Sequence, residues 1–141
     1  MSQRHTQLTM EDFVFPLGKL DEADEWIRLA HALPWEEIED RYAPRFARGG
    51  HAAYPARMAM GALLIKQRLG CSDEWVVRHV AENPYLQYFL GMKTYADCCP
   101  FGKSTMGLFR RRFDPEYFEQ ISRLAAKLRR GEKHRAHPQK P

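Results

Sequence analysis

The chain has 141 residues, 44% of them apolar and 28% charged, with nine glycines and nine prolines. This composition predicts one compact domain that buries about two-thirds of its unfolded surface, and it excludes a large multidomain enzyme, a collagen-like chain and a wholly disordered one. The formal net charge of +4 is unevenly spread: residues 1–99 carry 11 Lys/Arg against 14 Asp/Glu, and residues 100–141 carry 11 against 4.

A neutral or acidic body with a basic end favours an anionic partner, most often nucleic acid, with a solvated basic tail as the competing reading. There is no apolar run of about 18 residues, so no membrane partner is expected. The opening MSQRHTQLTMED lacks the apolar core of a secretory signal, and a cytoplasmic location is expected.

Val, Ile and Thr number four each, too few to fill a sizeable sheet, while Ala, Leu, Met, Glu and Arg dominate the periodic segments. The fold class predicted is all-α. Residues 1–20 read as irregular, with a tethering patch at Phe13, Val14, Phe15 and Leu17. From Asp21, DEADEWIRLAHAL reads as a helix with an acidic first turn and with Trp26, Ile27, Ala30 and Leu33 inward. Pro34 breaks it and starts a second short helix on Trp35, Ile38 and Tyr42.

Residues 43–55 read as a linker, by Gly49-Gly50 and two flanking prolines. Pro55 opens the longest apolar helix, the expected central helix of the core. Met58, Ala62, Ile65 and Leu69 form its inward row, Met60 and Leu64 widen it, and Gly70 closes it. Ser72 is the predicted N-cap of the next helix, with Trp75, Val76 and Val80 buried, and Asn83-Pro84 stops it and starts another. The turn Leu69-Gly70-Cys71-Ser72 makes the two helices a helix-turn-helix pair in the loose sense, an arrangement that also serves plain core packing.

After a polar loop, Ser104 is the predicted cap of a helix with Met106, Phe109 and Phe113 on one side, Arg111 nearly opposite and Arg112 on the flank. Asp114-Pro115 starts the last helix, predicted to end at Arg130. Its apolar stripe is Tyr117, Ile121, Leu124 and Leu128, and its opposite face is Arg123, Lys127 and Arg130. The domain division expected is therefore an irregular segment over 1–20, a helical domain over 21–130 that ends in a basic helix, and a disordered basic tail over 131–141.

Several look-alikes carry no chemistry. DEAD at Asp21–Asp24 lacks the strand and upstream phosphate loop of a helicase. Phe101-Gly102-Lys103-Ser104 matches the end of a Walker loop, but Asp97 stands where its first glycine should be. Three cysteines, Cys71, Cys98 and Cys99, form no CxxC pair and read as free thiols, and the six histidines show no HxxxH spacing. His79 reads as a half-buried helix residue without a nucleophile or acid beside it. No catalytic residue, metal ligand or cofactor is expected.

Three runs occur in order over roughly 80 residues: LPWEEIEDRYAP, then PARMAMGALLIKQRLGCSDEWVVRHVAENPYLQYFLGM, then PFGKSTMGLFRRRF. In this order they resemble the N-terminal helical domain of bacterial insertion-sequence DDE transposases of the InsH type. The resemblance implies a DNA-binding module that recognises element ends. In that family the catalytic carboxylates lie downstream in an RNase H-like domain, so a non-catalytic, truncated or frameshifted form that takes part in or regulates transposition is expected.

The expected partner is double-stranded DNA, with nucleoid association following from it, and full-length transposase or a second copy of the chain as further partners. The residues expected at phosphate are Arg110, Arg111, Arg112, Arg123, Lys127, Arg129 and Arg130, with Lys103 and Ser104 adding contacts at a helix N-terminus. Arg78 is the candidate for a base-edge contact. The rival is a protein-interaction module that pairs with transposase through exposed aromatics: Phe13, Phe15, Trp35, Tyr85 and Tyr88.

Overall fold

A computed structural model of the chain describes residues 19–42 and 54–136, with the side chains of the last helix described as far as Arg129. The patch at Phe13–Leu17, most of the linker and residues 137–141 lie outside the described residues. Within them are seven helices and no sheet, in agreement with the all-α prediction: α1 (Glu25–Ala32), α2 (Trp35–Asp40), α3 (Ala56–Leu69), α4 (Asp73–Glu82), α5 (Pro84–Phe89), α6 (Lys103–Arg111) and α7 (Pro115–Ala136).

Local cap chemistry sets most of these boundaries. The first helix starts four residues later than the acidic run predicts. Asp24 is its N-cap, accepting from the backbone N–H of Trp26 at 2.7 Å and of Ile27 at 3.4 Å, and Asp21 accepts from Ala23 N–H in the turn before it. Two of the four orphan donors of a helix start are met this way. Gly70 ends α3 in the left-handed region at φ 62°, and Ser72 caps α4 by accepting from Trp75 N–H at 3.2 Å. Asn83 caps α5 by accepting from Tyr85 N–H at 2.9 Å. All three agree with the sequence.

α3 is the central core helix that its sequence predicts, and its buried surface is wider than the predicted row. Every residue from Ala56 to Ile65 is buried, so the helix is a central strut with neighbours on all sides, packed against α2, α4, α5, α6 and α7. Small residues permit this closeness. A Cβ on Gly61 would lie 2.8 Å from Leu90 Cδ2. Leu69, placed on the inward row by its spacing, is 41% exposed because it sits on the last turn, beyond the covering helices.

Arg57, also in α3, is only 1% exposed. Its Nε donates to Phe89 C=O and its Nη2 to Tyr88 C=O, both at 2.9 Å. Two carbonyls at the end of α5 are thereby satisfied inside the protein. The guanidinium also lies 4.9 Å from the centroid of the Trp35 ring. Burial lowers its pKa to about 10, which leaves it charged at neutral pH. Gly91 follows at φ 86°, and a Cβ there would stand 3.0 Å from Arg57 Cδ.

A second buried polar side chain, Gln87, ties down the loop that leads to α6. Its Nε2 donates to Val80 C=O at 2.8 Å and to Ala96 C=O at 2.7 Å, and its Oε1 accepts from Ala96 N–H at 2.9 Å. The last helix crosses α1 and α3, burying Tyr117, Ile121 and Ala125, with Ser122 hydrogen-bonded to Gln67. It extends to Ala136 rather than stopping at Arg130. Apart from Gly131, the residues over 131–136 are compatible with a helix, and the next proline is Pro138.

Candidate nucleic-acid interface

The surface that stands out is α6, KSTMGLFRR, which contains no acidic residue. Met106 and Phe109 on its inner side are fully buried, and Phe113 beyond its end is 4% exposed. Phe109 is held edge-on by Phe101 at 5.1 Å and by Tyr54 at 5.4 Å between centroids. These contacts fix the rotation of the helix. At 100° per residue Ser104, Gly107 and Arg111 fall on the side away from Met106 and Phe109, with Lys103 and Arg110 on its flank, and the two ends of that row, Lys103-Ser104 and Arg110-Arg111, are exposed.

Ser104 is not the cap. Gly102 holds that position without a side-chain bond, and Ser104 is the second helical residue, where its hydroxyl faces solvent. Arg112, at the C-cap, is half-buried.

Arg110 is tied to the start of α4. Its Nη1 donates to Asp73 Oδ1 at 3.2 Å and its Nη2 to Oδ2 at 3.1 Å, while Lys66 Nζ lies 3.1 Å from Asp73 Oδ1. The Arg110 hydrogen bonds, followed by Lys66, hold the Asp73 carboxyl below its ordinary pKa. In turn, Asp73 raises that of Arg110. Among the described residues Lys103 and Arg111 have no ion-pair partner.

The other residues expected at phosphate lie on other helices. Arg123 pairs with Glu119 at 3.7 Å one turn away, Arg129 pairs with Glu25 of α1 at 3.7 Å, and Lys127 is exposed. The side chain of Arg130 lies outside the described residues. Arg78, on α4, is exposed, 3.7 Å from Glu74 and stacked 4.9 Å over Trp75.

Trp75 itself is a correction: it is 50% exposed rather than buried, because α4 turns Val76 and Val80 into the core, with Val77 beside them. The aromatics of the interaction rival are corrected in the opposite sense. Trp35 is 5% exposed and donates to Ala30 C=O at 2.7 Å. Tyr88 is fully buried against His31, and the Tyr85 hydroxyl accepts from Asp21 N–H at 2.9 Å. Phe13 and Phe15 lie outside the described residues.

Among the described residues no three His, Cys, Asp or Glu side chains converge as a metal ion would need. Burial pushes the Cys99 thiol up to about 11, away from the thiolate that nucleophilic chemistry uses. No described helix is long and apolar enough to cross a membrane. Sequence reasoning missed Gly107, at the middle of the α6 face, and Asp73, which holds Arg110; the helical spacing Lys-Ser-x-x-Gly-x-x-Arg-Arg carried the signal for the first.

These features define an all-helical module with a cationic helix as its most distinctive surface. The family model described as Transposase domain (DUF772) matches residues 16–112, and the chain belongs to this transposase domain family. The match runs through the whole of α6 and ends at its C-cap. A Rhizobium meliloti protein described as "Uncharacterized protein ORF8 in nfe locus" is 32% identical over 95 residues, a stretch that covers 67% of this chain and 46% of that protein. The matched stretch is thus less than half the length of that relative. No solved structure matches the chain.

Proposed function

We propose that this chain is the DNA-binding module of a transposition system, holding duplex DNA at element ends through α6, and that it takes part in or regulates transposition as a non-catalytic partner. The observation that carries this reading is the α6 face itself: Lys103, Ser104, Arg110 and Arg111 exposed together, with no acidic residue in the helix and within the family's matched stretch. A helix bearing cations on one side and a packed aromatic anchor on the other provides what phosphate contact requires. Arg112, Arg123, Lys127, Arg129 and Arg130 extend the basic surface, and Arg78 is the base-edge candidate on α4. Nucleoid association follows from DNA binding.

Burial of Trp35 and Tyr88 takes those two rings out of the rival reading, pairing with transposase through aromatics, while Tyr85 is half-buried and Phe13 and Phe15 lie outside the described residues.

Gel-shift titrations against duplexes carrying the DNA that flanks the gene test the proposal. Affinity is expected to fall steeply with salt. Lys103→Ala with Arg111→Ala is expected to weaken binding and to lower the log–log salt slope by about 0.9 for each phosphate that the variant no longer neutralises. Absence of binding by the wild-type chain at low salt refutes it.

A further inference from the structure

Gly107 occupies the middle of the cationic face of α6, where a glycine has no structural purpose in the protein itself. A glycine inside a helix is less favourable than alanine. Of the other described glycines, Gly61 is closed in by Leu90, Gly91 by Arg57, Gly70 needs its positive φ, and Gly102, though open, is the N-cap of α6, a position that suits glycine. At Gly107 a Cβ would meet nothing nearer than 3.8 Å, and its only neighbours are Arg110 Nη2 and Arg111 Nη1, both at that distance. The two guanidiniums therefore flank a bare stretch of helix backbone, and Lys103 and Ser104 stand on its other side.

Dimensions favour one occupant. At 1.5 Å per residue, the Lys103-Ser104 pair and the Arg110-Arg111 pair are centred about 11 Å apart along the axis. The phosphate walls of a B-DNA major groove are separated by about 12 Å. Cations at both ends can meet the two walls while the bare centre descends toward the base edges. α4 is less suited, since it carries three carboxylates, Asp73, Glu74 and Glu82, against the single guanidinium of Arg78.

We propose that α6 is the helix that enters the major groove of duplex DNA and that Gly107 is its point of closest approach, where the missing side chain leaves room for the duplex. This rests on the DNA-binding reading above and adds to it which helix enters, which groove it enters and why residue 107 is bare.

The test compares Gly107→Ala, Gly107→Leu and the Lys103→Ala/Arg111→Ala pair in the full chain. Binding to labelled duplexes from the DNA flanking the gene is followed by fluorescence anisotropy at low salt, and folding by thermal melting. Gly107→Ala is expected to melt at or above the wild-type temperature yet bind roughly tenfold more weakly, with Gly107→Leu weaker still, a reduction of the size of one base contact. Dimethyl sulfate footprinting is expected to show wild-type protection of guanine N7, which lies in the major groove.

Wild-type affinity in both Gly107 variants, alongside weakened binding in the Lys103/Arg111 pair, overturns this inference and leaves the DNA-binding reading standing. Protection confined to adenine N3 in the minor groove also overturns it. A wild-type chain that binds no duplex defeats both.

Discussion

Arg110 and Asp73 meet in a two-point contact, both N–H···O distances near 3.1–3.2 Å, across 37 residues of sequence. With Lys66 on the same carboxylate, Asp73 joins α3, α4 and α6 at one place. The cationic helix is therefore braced against the turn between the two helices beneath it. The same contact holds the Arg110 guanidinium, whose side chain remains 47% exposed, beside Gly107.

The brace has a pH signature. Asp73→Asn is expected to lower stability at neutral pH by about 1 kcal/mol, the scale of a partly exposed ion-pair network at a helix N-terminus. Because Arg110 and Lys66 depress the Asp73 pKa, the contribution is complete above the unfolded carboxyl value, about 3.9, and is lost as pH falls through the lower folded value. Urea unfolding of wild type and variant should differ at pH 7 and converge in strong acid. A gap that stays constant over that range would show that the charge is not its source.

Arg57→Met is expected to be among the most damaging single changes, at about 3 kcal/mol or more. Methionine fills part of the volume but takes the arginine donor from the buried Phe89 carbonyl and one of two donors from that of Tyr88, which keeps the Gly91 N–H. Arg57→Lys keeps the charge but not the two-pronged geometry, and should fall between the two. Denaturant midpoints measure the order, and a lysine variant as stable as wild type would show that the fork geometry contributes nothing.

Two glycine-to-alanine changes should move stability in opposite directions. At Gly61 the new methyl meets Leu90 Cδ2 at 2.8 Å inside a filled core, for an expected destabilisation of about 1–3 kcal/mol. At Gly107 the nearest atoms stand at 3.8 Å, and helix propensity predicts a gain of about 0.5–1 kcal/mol. Thermal melts of the two purified variants decide it, and a shift of the same sign in both would contradict the packing described for α3 and α6.

The three tryptophans should separate in solution. Trp26 and Trp35 are 6% and 5% exposed, Trp75 50%. Acrylamide is expected to quench a fraction of the fluorescence that disappears in Trp75→Phe, with stability changed by no more than about 0.5 kcal/mol. Loss of cooperative unfolding in that variant would mean that Trp75 is part of the core after all.

What could be read from the sequence was the chemistry that acts over a few residues. Ser72, Asn83 and Gly70 end or begin helices by contacts no more than a turn long, and each is where its residue type predicts. Periodicity identified Met106, Phe109 and Phe113 for the same reason. It failed at Leu69 and Trp75, since a repeat marks a possible inner face and says nothing about where the neighbouring helices stop. Asp73 and Arg110 are distant in the chain, so their pairing had no local trace. Nothing local marked Arg57, because its acceptors are backbone carbonyls, which any sequence offers.

The crossing of α7 over α1 and α3 bears on how such modules are assembled. The family's matched stretch stops at Arg112, yet Tyr117, Ile121 and Ala125 complete the apolar interior from beyond it. In this chain α7, which the family model does not cover, is thus the lid over one flank of the matched stretch. A fragment cut at the family boundary would expose the flank of α3 around Leu64, whereas another sequence able to form an amphipathic helix there could close it equally well.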